Sequence, residues 1–339
     1  MTSRMDVQRL LRLVDRYQQR RPWLAIPVAV LKKFGDDNAS NQAALVAYFA
    51  FFSLFPLLLV FVTVLGFVLQ GHPGAQRSIE HSVLGQFPVL GQRIHPHSLH
   101  GSAIALAIGI AVALLSGLGV TSAMQSALDR VWAVPIKDRP GFLAQRLRGL
   151  ALLVLIALLF ALATGASGLV SGGLGGPLAT AGGIVVSLAL DIGLFAVAFR
   201  LMTPASIPSS DLRVGVLTAA AFWEILQVAG GYYVGHVLKH TQSDLAEASL
   251  VIGLLLFFHL GAQLTLYAAE LNTVISRQLW PRSYFGQPTM PADQRTLTAL
   301  AKIEERSPKQ RIEVVFGDGF EHGDERAGGG RDDQAELHA

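Results

Sequence analysis

ASLVIGLLLFFHLGAQLTLYAAELNTVIS, residues Ala248–Ser276, decides what kind of protein this is. A bilayer core of about 30 Å is crossed by about 20 apolar residues in helix, and this stretch is longer than that. Its polar residues are not scattered. His259, Gln263, Tyr267 and Glu270 fall at i, i+4, i+8 and i+11, which at about 100° per residue keeps them on one face. The stretch reads as a membrane-spanning helix with a polar stripe.

Working outward, five further segments meet the same length criterion: Ala43–Leu69, Ser102–Val120, Leu150–Val170, Gly182–Met202 and Val214–Val237. Composition agrees, since 51% of the 339 residues are hydrophobic and 15% charged, against roughly 25% charged in a soluble domain. Mean hydropathy is +0.44. The second span reads as continuing beyond the membrane as Thr121–Val134, and a glycine- and proline-rich hairpin, Ser171–Gly183, joins the third span to the fourth. The fold class is all-α, a polytopic membrane protein of six spans.

Charge orients it. Of the 27 Lys and Arg residues, 24 lie on one side of the implied membrane and 3 on the other. The positive-inside rule makes the rich side cytoplasmic, and an even number of spans puts both termini there. The basic pI of about 9.3 is thereby explained by topology rather than by nucleic acid.

Three regions follow: a cytoplasmic amphipathic N-terminal segment (1–40), a six-helix membrane domain (41–278) and a cytoplasmic tail (279–339). Val7–Tyr17 spaces Val7, Leu10, Leu11 and Val14 helically between arginines, a pattern that suits either anionic lipid or the bundle surface. Met1–Arg21 holds six arginines and no uninterrupted apolar run, so it does not read as a cleavable signal. The tail offers one helix, Ala292–Arg306, and past Phe316 becomes rich in Gly, Asp and Glu, the composition of a disordered segment.

Ionisable side chains inside spans are costly and face protein or water-filled cavities. Asp191 lies midway along span four, Glu224 midway along span five, and His259 and Glu270 in span six. Glu224, Gln227, Gly231 and Gly235 share a face of span five, where the glycines would admit a neighbouring backbone. The expectation is that spans four to six turn these faces toward each other, with Arg200 reaching Glu270. Such an interior serves either as a path for a polar or amphiphilic substrate or as a set of interhelical hydrogen bonds. In span one, Ser53 and Pro56 mark a kink, because proline leaves a backbone carbonyl for a neighbour to satisfy.

Enzyme motifs fail. His95-Pro-His97-Ser-Leu-His100 has the outline of a metal-binding string, but Leu99 stands where such a string needs aspartate. With His81 these histidines read as a solvated loop, and no metal or cofactor is expected. Gly165–Gly183 lacks the Gly-Lys-Ser/Thr ending of a phosphate loop, and neither Gly-x-Ser-x-Gly nor His-Glu-x-x-His occurs. With no cysteine in the chain, thiol chemistry is excluded.

Ala47-Tyr48-Phe-Ala-Phe-Phe-Ser53-Leu54-Phe-Pro56 resembles the Ala-Tyr…Ser-Leu-x-Pro signature of the YihY/BrkB family of bacterial inner-membrane proteins. Ala127-Leu128-Asp129-Arg130-Val131-Trp132 is similar to the family's Ala-Leu-Asn-x-x-Trp string, with Asp129 in place of Asn. Trp223-Glu224 and Ala268-Ala269-Glu270-Leu271-Asn272 resemble its remaining landmarks. The last is usually Gly-Ala-Glu, so Ala268 departs from it at a point of close backbone packing.

The resemblance covers residues 30–278 and implies a six-span fold in the bacterial inner membrane. The family has carried the label ribonuclease BN, which these residues do not support. Members are linked to serum resistance and to the movement of envelope lipids. Together, residues and resemblance lead to the expectation of a non-enzymatic transporter or flippase-like protein for an amphiphilic envelope component. Its partners would be membrane lipids and an envelope lipid substrate, with no nucleic acid. The alternative is a non-transporting scaffold acting through its cytoplasmic ends, and a remote one is an intramembrane or metal-dependent enzyme.

Overall fold

The computed structural model describes residues 15, 17–68, 103–170, 177–236, 243–283 and 290–316. Its helices are α1 (Pro22–Asp36), α2 (Ala39–Val68), α3 (Ala103–Val131), α4 (Phe142–Val170), α5 (Pro177–Met202), α6 (Arg213–His236), α7 (Ser243–Ser276) and α8 (Pro291–Lys302). No strand occurs among the described residues. Six helices, α2 to α7, are long and apolar enough to cross a membrane. Lipid offers no partner for a free N–H or C=O, so apolar runs of this length close their hydrogen bonds within a helix.

Large apolar side chains such as Leu115, Val228 and Ile252 point outward along these helices, an arrangement costly in water and natural in hydrocarbon. The buried residues gather at one end of the spans, among them Ala43 and Val46 of α2, Leu128 and Val131 of α3, Phe199 of α5, Val216 and Ala219 of α6, and Leu266 and Ala269 of α7. This is the end that also carries α1 and α8, here called the polar end. Packing is tightest where the chain's polar segments meet the bundle.

α7 is the organising helix, lying against α1, α2, α3 and α6. Its contact with α6 depends on a residue that carries no side chain. Gly215 is in the first turn of α6, where backbone N–H groups lack an intrahelical acceptor. Its N–H donates to Asn272 Oδ1 at 2.5 Å, so a side chain from another helix supplies the cap. A Cβ at this position would collide with the Ala268 carbonyl and the Asn272 amide. Close backbone packing at Ala268 is therefore present, with the small residue supplied by α6. A similar approach joins α3 to α4, where a Cβ on Gly149 would strike Thr121 Oγ1.

Two helices at the polar end close alike. After α3, Ala133 adopts φ 48°, its N–H bonding the Arg130 carbonyl while that of Val134 bonds Asp129. Gln278 after α7 adopts φ 50°, with Leu279 N–H on the Val274 carbonyl. This paired closure reverses the chain tightly and satisfies the last carbonyls.

Several boundaries differ from expectation. The expected continuation Thr121–Val134 is helical as part of α3 but ends at Val131. α5 already starts at Pro177, because proline suits the first helical position, so the hairpin is shorter than Ser171–Gly183. α8 stops at Lys302 instead of Arg306. There the backbone is diverted to another partner, with Ile136 N–H on the Ile303 carbonyl at 3.0 Å and Lys137 N–H on the Glu305 carbonyl at 2.9 Å. Apart from its last residues, the Val7–Tyr17 segment lies outside the described residues, as does the tail past Phe316. The amphipathic helix that is described is α1, whose Ala25, Ala29, Val30, Lys33 and Phe34 are buried.

Gly215→Val should uncouple α6 from α7, because the clash involves backbone that cannot give way. Overpacking costs roughly 1–3 kcal/mol and the lost N–H bond about another 1. A thermal melt of the purified protein in detergent should show a clear drop for this variant, while Gly193→Val, where nothing lies within 4 Å, should melt close to wild type.

Candidate functional site

The polar stripe of α7 exists, but it faces differently from expectation. Gln263 Nε2 donates to Ser40 Oγ of α2 at 3.4 Å. One turn on, the Tyr267 ring stacks on Phe34 of α1, with centroids 3.9 Å apart. Glu270 then meets Lys33 of α1 at 2.8 Å. His259 is half-buried on the same face. The stripe thus turns to α1 and α2 rather than to α5 and α6, because α1 folds its amphipathic face onto the end of α7.

Lys33 is almost fully buried, and its ammonium uses all three of its N–H groups: on Asp37 Oδ2 at 2.5 Å, the Val131 carbonyl at 2.7 Å and Glu270 Oε2 at 2.8 Å. Burial works against its charge, yet the flanking Glu270 and Asp37 carboxylates outweigh it and hold the Lys33 pKa above the ordinary lysine value. Arg200 does not reach Glu270. It donates instead to the Ile207 carbonyl at 3.0 Å, bracing the turn that follows α5.

A second ionic network fastens the tail. Arg282, 1% exposed, donates to Asp293 Oδ1 and to Asp36 Oδ2, each at 2.8 Å. Lys32 meets the same Asp293 at 2.9 Å, and Lys137 meets Glu305 at 2.6 Å. Sequence reasoning missed Lys33, Asp37, Arg282 and Asp293 because it counted charges outside the spans as topology signals. One clue was available: Lys32–Asp36 and Lys33–Asp37 are both i, i+4 pairs within an apolar helical pattern.

Asp191 and Glu224 form a separate site between α5 and α6. The two carboxyl groups lie within hydrogen-bonding reach of each other. Asp191 Oδ2 and Glu224 Oε1 are buried without a partner among the described residues. Ionised carboxylates only accept hydrogen bonds, so a bond between them requires a shared proton. Each residue lies eleven positions from the polar end of its helix, about 17 Å at 1.5 Å per residue, near the middle of a core of about 30 Å.

The rest of the expected span-five face does not join this interior. Gln227 is exposed, and Gly231 has no neighbour within 4 Å. The α6 surface against α7 runs instead through Trp223, Leu226 and Gly230, with Trp223 at 5.9 Å from Phe257 and a Cβ on Gly230 only 3.0 Å from that ring. These positions are offset by one residue from the expected face, which turns Gln227 outward.

The landmark residues are mainly structural. Trp132 is buried under the Arg277 guanidinium, 5.5 Å from its ring, and Asp129 is also buried. Tyr48 is exposed and its ring lies at a tilt against Phe52, with centroids 4.7 Å apart. Ser53 Oγ donates to the Ala50 carbonyl at 2.9 Å, while α2 continues through Pro56 to Val68. Gly235 and the loop histidines His81, His95, His97 and His100 lie outside the residues whose side chains are described.

Lys33→Met should cost about 3–5 kcal/mol, since it strands two buried carboxylates. Arg200→Met should cost about 1.5, the loss of one charged hydrogen bond. Chemical denaturation of the two variants in detergent checks that order. A pH effect is expected at Glu305, whose carboxyl the Ile312 N–H and Lys137 hold below the usual glutamate range. A lowered folded pKa stabilises above the ordinary value of about 4.3 and is lost as pH falls below it. Hydrogen exchange at Ile136 and Lys137 should therefore be slow at neutral pH and accelerate, relative to other protected amides, below about pH 4.

Comparison with known proteins follows this geometry. Residues 30–291 match the family described as Virulence factor BrkB, a stretch that runs from within α1 to the start of α8. The chain is also 26% identical over 275 residues to Inner membrane protein YhjD of Escherichia coli (strain K12), covering 74% of this chain and 81% of that protein. No solved structure matches. With six apolar helices and a family match over most of its length, the chain belongs to the YihY/BrkB family of integral membrane proteins.

Proposed function

We propose that this chain is a multi-pass inner-membrane transporter that moves an amphiphilic, lipid-like envelope component, with the Asp191–Glu224 pair as its proton- or cation-carrying site. The observation that carries the reading is two facing carboxyl groups at mid-membrane depth, each with a buried oxygen lacking a donor. Two like charges in a low dielectric cannot both ionise, so the pair holds a proton or a cation between them. One that binds and releases a proton or cation can couple its occupancy to movement. The name of the relative YhjD supports the inner membrane. The charge asymmetry of 24 against 3 supports cytoplasmic termini. No catalytic step, cofactor or nucleic acid enters this reading.

The packing of the tail favours one second reading, a scaffold. α8 and the residues up to Phe316 form part of the folded polar end, a fixed platform from which residues 317–339 could recruit envelope proteins. Truncation after Phe316 separates the two, since it retains the described residues of the polar end.

In proteoliposomes with a pH gradient and headgroup-labelled phospholipid, Glu224→Gln and Asp191→Asn should insert and melt like wild type yet reduce flux to background. Wild-type flux in both variants would end the transport reading. Truncation after Phe316 should leave flux unchanged, whereas a scaffold would lose its cellular phenotype on that truncation alone.

A further inference from the structure

A cavity of about 220 Å³ lies at the polar end, between the end of α7 and the tail helix α8. Lys33, Arg277, Arg295 and Asp37 supply its charges, and Val131, Leu279, Ala299 and Leu300 its apolar wall. Three cations face one carboxylate there. Lys33 takes no further partner, because its three N–H groups are already used on Asp37, Glu270 and the Val131 carbonyl. The charge of Asp37 is engaged by the same ammonium. What remains available is the pair of arginines.

Arg295 spends one guanidinium N–H on the Gln278 carbonyl at 2.8 Å, leaving others of its five free. Arg277 lies over the Trp132 ring at 5.5 Å and meets no hydrogen-bond acceptor among the described residues. Partial burial lowers its pKa, and Asp211 opposes that shift from a distance while its own carboxyl accepts from Ser210. Arg277 and Arg295 are both exposed, so each guanidinium reaches the mouth of the cavity with N–H groups open to an anion. Two such forks fit the geometry of a phosphate group. Arg277 directly follows Ser276, the last residue of the sixth span, which is the depth of lipid phosphates.

We propose that this cavity binds the phosphate group of an anionic ligand between Arg277 and Arg295, and that its occupation holds α8 against the bundle. The two arginines come from different elements, Arg277 from just past the end of α7 and Arg295 from α8. A ligand held by both therefore adds a contact across the seam. The site is distinct from Asp191 and Glu224, and its binding does not depend on transport.

The test uses the full chain in detergent and in nanodiscs. Inorganic phosphate is the probe in detergent, and phosphatidic acid against phosphatidylcholine is the probe in nanodiscs, with native mass spectrometry for binding and hydrogen exchange for α8. Phosphate or phosphatidic acid should bind and slow exchange over Pro291–Lys302. Arg277→Gln/Arg295→Gln should weaken binding at least about tenfold, as expected for lost charge-assisted hydrogen bonds. Ala299→Phe should do the same by filling the cavity while every charge remains. Arg306→Gln, which removes an exposed charge paired with Glu304, should bind like wild type. Response to both probes, or to phosphate alone, assigns a free phosphate ligand, and response to phosphatidic acid alone assigns a lipid headgroup. No binding of either probe, or equal loss in Arg306→Gln, overturns the proposal.

Discussion

A charged amine buried among helices has to be neutralised where it stands, and Lys33 imposes that demand on everything around it. Its ammonium is held by residues from three places in the chain: Asp37 just past its own helix, the Val131 carbonyl at the end of α3, and Glu270 on α7. Removing any partner leaves charge stranded in low dielectric, so the positions of α1, α3 and α7 are mutually fixed. The tight closures at Ala133 and Gln278 bring the ends of those helices close enough for this to happen. The interaction specifies an arrangement more than it adds net stability, since burying both charges is itself expensive.

That clamp also explains why the bundle has two polar sites instead of one. Once Glu270 is committed to α1, the polar stripe of α7 follows it toward α1 and α2. Asp191 and Glu224 are left to each other between α5 and α6. One cluster is neutralised by an opposite charge and reads as architecture. The other is a pair of like groups with no opposite charge paired to them among the described residues, and that imbalance is the basis for assigning it a role.

The six spans were legible because hydrocarbon selects for a single visible property, long runs without charge. The stripe His259–Gln263–Tyr267–Glu270 was legible as well, since helical periodicity places residues on a face. Which neighbour that face meets was not, because periodicity says nothing about the rotation of one helix against another. Arg200 looked suited to Glu270 from its depth alone, yet depth is one coordinate of three. Lys33 escaped for a related reason: as a lysine outside a span it counted toward orientation, and its burial depends on how α1 lies. Gly215 gave no signal, because its role comes from Asn272 and the Ala268 carbonyl, which are distant in sequence and on another helix.

Arg282, buried between Asp36 and Asp293, ties one of the chain's first helices to a segment made more than two hundred residues later. During synthesis at the membrane, α1 must wait with its lysines and aspartates incompletely matched while all six spans are laid down. The ionic circuit closes only when the residues after the last span have left the ribosome. A nascent chain that stops short of that point carries its own mark of incompleteness, a cluster of unmatched charges at the membrane surface, which is a form that cellular quality control can recognise and remove.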